Sequence, residues 1–146
     1  MAKDLSKYPL HLGLGATAES QPLFTGGMEW YQDYAERNKD DGVEGRLVSM
    51  HTFTESWDVW EMHPLGHEAV IVTAGSMVLV QELLDGTIQT TPLTVGQVAV
   101  NPPGVWHTAD VEEGACSAVF ITAGKDTQHK AREATTTTAN SGKEEL

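Results

Sequence analysis

The sequence predicts an all-β protein, an antiparallel sandwich or barrel. From Gly45 onward, short runs rich in β-branched and aromatic residues recur at roughly 8–12-residue spacing. Gly and Pro turns separate them, among them the hairpin signal Asp85-Gly86 and the tight turn Pro102-Pro103-Gly104. Helical spacing is confined to Met28–Asn38, where Met28, Tyr31, Tyr34 and Ala35 share a face.

Residues 1 to about 26 are expected to be irregular, because Gly13, Gly15, Pro22, Gly26 and Gly27 break any long element. Leu10, Leu12, Leu14, Leu23 and Phe24 would otherwise face water, so this arm is expected to pack across the domain or a neighbouring copy. The short helix follows and stops at the turn signal Asn38-Lys39-Asp40-Asp41-Gly42. Strands are predicted over 46–53, 57–63, 68–73, 77–83, 87–91, 97–100, 106–111 and 115–122. After Gly124 the composition turns polar, and Thr135–Gly142 is low in complexity. The expected organisation is an arm and helix over 1–44, a β-domain over 45–124 and a mobile tail over 125–146.

With 146 residues, 40% hydrophobic and 21% charged, the chain can form one globular domain with a real core. A net charge of −12 argues against nucleic acid and against an anionic membrane surface as partners. No run approaches the ~18 apolar residues of a membrane span. Met1-Ala2-Lys3-Asp4-Leu5-Ser6 lacks an apolar signal core, so a cytoplasmic location is expected. Cys116 is the only cysteine, which excludes an intrachain disulfide and a Cys-based zinc site. It is read as a small buried hydrophobe.

The chemistry concentrates in Glu61-Met62-His63-Pro64-Leu65-Gly66-His67-Glu68, which leads into the apolar run Ala69–Ala74 and Gly75. Residues two apart on a strand share a face, so Glu61 and His63 point together, with Trp57 and Val59. Glu68 opens the next strand with Val70 and Val72 on its own face; if the two strands pair as a hairpin, Glu61, His63 and Glu68 converge. His67 is out of phase with Glu68 and belongs at the rim unless the turn swings it inward as a ligand. A metal site needs a further group, and His107 behind Pro102-Pro103-Gly104 supplies a candidate.

These residues make the chain similar to the cupins. The first cupin motif, G-x5-H-x-H-x3/4-E-x6-G, is met by His63, Glu68 and Gly75, and the second, G-x5-P-x-G-x2-H-x3-N, by Gly96, Pro102, Gly104 and His107. The resemblance spans about residues 55 to 111 and implies a double-stranded β-helix, a jelly roll. It also implies a divalent transition metal (Fe, Mn, Ni or Zn), a small-molecule ligand or substrate, and a homodimer. Three positions depart from the motifs. Glu55 stands for the first Gly, Val111 for the final Asn, and Glu61 for the first His. The last change turns the usual set of three His and one Glu into two His and two carboxylates.

Two carboxylates facing one interior repel, and desolvation adds to the cost. Without a cation, at least one should be protonated near neutral pH, whereas a divalent ion would neutralise both. The candidate ligands are therefore His63, Glu68 and His107, with Glu61 as fourth ligand or general base and His67 as a substitute ligand. The other reading is an empty polar pocket. Val59, Val70, Val72, Val98 and Val100 are expected to line the interior, and Trp57 to face it while Trp60 and Trp106 face away. His51 is read as core or surface, His129 as surface or as a lid, and His11 carries no signal. Two functions stay open: a metal-dependent enzyme of oxygenase, isomerase or lyase type, and a non-catalytic small-ligand-binding or sensing protein.

Overall fold

Two antiparallel sheets face each other in the computed structural model, which describes residues 1–133. The strands are β1 (Leu10–Gly13), β2 (Thr17–Ser20), β3 (Arg46–Phe53), β4 (Val59–Met62), β5 (Glu68–Ala74), β6 (Ser76–Glu82), β7 (Ile88–Thr94), β8 (Val98–Asn101), β9 (Trp106–Asp110), β10 (Cys116–Thr122) and β11 (Gln128–Ala131). Helix α1 (Met28–Arg37) and a 3-10 segment (Lys39–Glu44) lie between β2 and β3. The strand order is β2-β1-β3-β10-β5-β8 in one sheet and β11-β4-β9-β6-β7 in the other. This is the all-β antiparallel sandwich that the strand spacing predicts, in the jelly-roll class that the resemblance implies.

The core is the meeting of the two inner faces. Val70, Val72, Cys116, Ala118 and Phe120 come from the larger sheet, and Met77, Leu79, Leu93 and Ala109 from the smaller one. Each set alternates along its strand, so burying one face leaves the other to water. The turn between β5 and β6 depends on Gly75, whose φ is +69°. A Cβ there would lie 2.0 Å from the carbonyl oxygen of Ala115.

The fold departs from the sequence-based expectation in the arm, in the tail and on β8. The arm is not irregular: β1 pairs with β3 and β2 with β1, extending the larger sheet. Four-residue strands broken by glycines carry too little periodicity to be read. His11 anchors the arm, buried between the Tyr34 hydroxyl and the Asp41 carboxylate at 2.6 Å each. Residues 128–131, expected in the tail, form β11 against β4. Lys130 Nζ sits 4.4 Å from the ring centre of Trp106, and Arg132 bonds Asp110 at 2.8 Å, clamping β11 in place. Val98 and Val100 do not line the interior; they are 58% and 48% exposed, and Ala99 and Asn101 face inward instead. The low-complexity stretch Thr135–Gly142 lies outside the described residues.

Gly75→Ala should destabilise the protein by about 2–4 kcal/mol, because strain and a backbone clash coincide at one residue. Urea unfolding checks this: the midpoint should fall with the slope unchanged. An unchanged midpoint contradicts the assignment of this turn.

Candidate metal centre

Strand pairing places the site residues. Glu61 on β4 is the direct cross-strand partner of His107 on β9. Glu68 opens β5 on the opposite sheet, opposite Asn101 on β8 and Thr122 on β10. β4 and β5 lie in different sheets, so they do not pair as the hairpin that the sequence left open. Glu61 and Glu68 meet instead across the gap between the sheets. His63 lies in the link from β4 to β5, and the Gly104 amide donates to its carbonyl at 3.0 Å. The Pro102-Pro103-Gly104 turn thereby ties the His63 link to the start of β9.

One ligand atom from each of Glu61, His63, Glu68 and His107 lies within 4.8 Å of all the others. His63, Glu68 and His107 are buried, whereas the Glu61 side chain is 24% exposed. His67 is exposed and outside this group; its carbonyl accepts from the Ala123 amide at 3.4 Å, which keeps the residue at the rim. Trp57 packs 6.4 Å from the His107 ring, while Lys130 lies over both Trp60 and Trp106 on the outer face.

The outer nitrogen of each imidazole is already committed. The Thr127 hydroxyl donates to the Gly124 carbonyl, so it must accept from His63 Nδ1–H at 2.8 Å. His107 Nδ1 donates to the carbonyl of Val105 at 3.4 Å. In both rings the neutral form therefore directs the Nε2 lone pair toward the carboxylates. His63 Nε2 is buried and finds no well-directed hydrogen bond, although Glu68 Oε2 and Glu61 Oε1 lie 3.2 and 3.3 Å away. His107 Nε2 meets Glu61 Oε1 at 3.3 Å, and all four side chains surround a common point, the arrangement of a ligand set. The donor types, two imidazole nitrogens and two carboxylate oxygens, suit a divalent transition ion.

Glu68 is held from behind. Asn101 Nδ2 donates to its Oε1 at 3.0 Å, and the Thr122 hydroxyl to its Oε2 at 2.6 Å. Gln81 Nε2 in turn donates to Asn101 Oδ1 at 2.7 Å. Glu61 is held from the solvent side, with its Oε2 2.8 Å from His129 Nε2. Sequence reasoning missed Gln81, Asn101, Thr122 and Thr127 and left His129 as surface or lid. The inward parity of Asn101 was available beside its Pro-Pro-Gly turn. Thr127-Gln128-His129 would have shown its alternation only to a reader who already took it as a strand.

Burial alone would push both imidazoles down, but Glu61 and Glu68 outweigh it, raising His63 to about 9 and His107 to about 8. Burial would push the carboxyls up, but His107 and His63 outweigh that, leaving Glu61 far below the carboxylate range and Glu68 at about 2. Without an ion the shifts favour ionised carboxylates, with each imidazole holding a second proton at Nε2. This corrects the expectation of a protonated carboxylate: imidazole nitrogens at 3.2–3.3 Å take the protons instead. Burial also pushes up the Tyr31 hydroxyl, with Glu61 and Glu68 adding to the effect, which places α1 within the field of the site.

No known family model matches the chain, and no curated relative does. Solved structures do. Peruvianin-I, a cysteine peptidase from Thevetia peruviana latex, is 17% identical with a TM-score of 0.51, over 60% of this chain and 57% of that one. Bacillus subtilis oxalate decarboxylase, described with Mn(II) centres, is 15% identical with a TM-score of 0.51, over 66% of this chain and 26% of that one. A cupin-2 domain protein from Shewanella frigidimarina is 25% identical with a TM-score of 0.44, over 53% and 69%. The match thus spans about half the length of the first relative and a quarter of the second.

The raised imidazole values give stability that is complete below about pH 6.5 and lost as pH rises through 8 to 9. The lowered carboxyl values give stability present above about pH 4.5 and lost as pH falls toward 2. Metal-free protein should therefore show a melting plateau between those limits and a decline on either side. A melting temperature that stays flat from pH 6 to pH 10 contradicts the charge assignment.

Proposed function

The chain has the cupin fold, and we propose that it is a small metal-dependent protein acting on a small organic molecule. His63, Glu68 and His107 hold a divalent transition ion, and Glu61 completes the set. The single observation that carries this reading is the commitment of both outer imidazole nitrogens, which leaves the two inner ones converging with two carboxylates. An ion bound there would supply Lewis acidity toward a carbonyl or hydroxyl oxygen. Oxygenase, isomerase and lyase chemistries are the candidate reactions.

The residues divide the work by exposure. Glu68, fixed by Asn101 and Thr122 and only 3% exposed, serves as a permanent ligand. Glu61 is the carboxylate a bound molecule can reach, and where it is not a ligand it is the best-placed general base. His129, 47% exposed, links Glu61 to water and gives a proton somewhere to go. Cys116 has no exposed surface, and burial pushes its thiol up, so nucleophilic thiol chemistry is not part of this reading.

One observation favours the second reading, a non-catalytic small-ligand-binding protein. The cluster balances its own charge with two protons and can therefore exist without an ion. Glu61→Gln separates the two. It should abolish turnover and spare ligand binding if Glu61 is the base, whereas a change in affinity alone supports the binding protein.

A homodimer belongs to the same proposal. Met50, Val119, Ile71 and Val98 form an uncharged row across the outer face of the larger sheet, the part of the surface where a second copy brings no charge against charge. Sedimentation should give twice the 15.8 kDa chain mass. A cytoplasmic location is kept with it, on the lone, buried Cys116. Among the described residues no helix is long and apolar enough to cross a membrane.

Elemental analysis of protein purified without chelator should find about one equivalent of a transition metal. Less than about 0.1 equivalent, not recovered on reconstitution, contradicts the proposal. Calorimetry at pH 7 in buffers of different ionisation enthalpy should show release of about two protons on loading, since the ion replaces those on His63 and His107.

A further inference from the structure

A divalent ion held by two neutral imidazoles and two carboxylates makes a centre of net charge zero. The usual cupin set of three His and one Glu would leave it at plus one. The substitution at position 61 therefore changes which molecules the centre can accept. An anionic ligand would bring an uncompensated charge into a buried site, which is costly unless a cation stands beside it. Of the basic side chains nearest in sequence, Lys130 and Arg132 are engaged elsewhere, and Lys125 is exposed on the loop before Thr127. Lys130 lies over Trp106 and Trp60 and 3.5 Å from Glu82. Arg132 bonds Asp110 and the Trp57 carbonyl. Arg46 lies on the outer face of β3 with Met50 by alternation, its Nε buried without a partner, and His129 is already held by Glu61.

The surroundings of the cluster are aromatic. Trp57, 6.4 Å from the His107 ring, packs on Phe53 and Phe120 at 5.3 and 6.1 Å. His51 lies 5.9 Å from Phe120, and Phe24 of the arm joins His51 to Tyr31 of α1. Within this group Trp57 Nε1–H is buried without an acceptor. A buried donor left unpaired in an aromatic cluster beside the ligand set fits a bound molecule that brings an oxygen acceptor.

From these observations, and resting on the metal reading above, we propose that the site selects a neutral aromatic or apolar molecule bearing a carbonyl-type oxygen, and discriminates against small carboxylates. Glu61 sets the charge preference and Trp57 supplies a hydrogen bond to the oxygen-bearing group. Phe53 and the Trp57 ring, both only partly buried, supply the apolar contact.

The test uses full-length protein loaded with Co(II), its metal content verified by elemental analysis, and two isosteric probe pairs: benzamide with benzoate, and oxamide with oxalate. Tryptophan fluorescence and the visible absorption of bound cobalt report binding without turnover. Benzamide should bind roughly tenfold or more tighter than benzoate, and oxalate should leave both signals unchanged. Glu61→Gln raises the centre to plus one, so benzoate should gain roughly tenfold while benzamide stays within about twofold. Should that variant lose cobalt, Glu61→His restores a ligand at the same net charge and carries the same expectation. Trp57→Phe should weaken benzamide severalfold with cobalt retained. Protein that holds no ion overturns the metal reading and this inference with it. Protein that holds one ion yet binds benzoate or oxalate as tightly as benzamide, or binds none of the probes, overturns the inference alone.

Discussion

Two carboxylates facing each other across the gap between the sheets set the terms for the rest of this structure. Glu61 and Glu68 come from opposite sheets, so closing the sandwich brings like charges together where water screens them poorly. Such a contact persists only if positive charge is supplied in the same place. His63 and His107 supply it as two protons, and a divalent ion would supply it as one particle. Much of the polar bonding inside the fold follows from holding these four groups in position. The Gln81–Asn101–Glu68 chain fixes one carboxylate, and Thr127 and the Val105 carbonyl turn the imidazoles inward.

The fold was largely legible because its strands are long enough to show alternation and its turns carry Gly and Pro. Arg46–Phe53 appears as predicted, and the other predicted strands differ mainly at their ends. What escaped was short or depended on a partner. β1, β2 and β11 have four residues each, and their identity as strands comes from the neighbour they pair with rather than from their own pattern. Val98 and Val100 show the same limit. Alternation revealed that one face of β8 differs from the other, but hydrophobicity pointed the wrong way. Asn101 must face Glu68, and the valines follow its phase outward.

The site was legible to the extent that motif spacing is. His63, Glu68, His107 and Glu61 come together, and His67, out of phase, does not. The sequence could not show that Glu61 meets Glu68 across the sandwich rather than along a hairpin. That difference decides their chemistry: it leaves Glu68 enclosed and Glu61 at the accessible side, in contact with His129. The C-terminal strand thus does more than close an edge. It carries Thr127 to one imidazole and His129 to the reachable carboxylate, and Lys130 and Arg132 hold it there. Tertiary contacts between residues more than sixty positions apart leave no local trace in a sequence.

The most direct measurement of the central claim is X-ray absorption on the metal-loaded protein, read at the edge of the bound ion. The account predicts one ion whose protein ligands are two imidazole nitrogens and two carboxylate oxygens, with one of those oxygens lost in Glu61→Gln. A ligand set that lacks carboxylate oxygen, or one unchanged by replacing either His63 or His107, contradicts it.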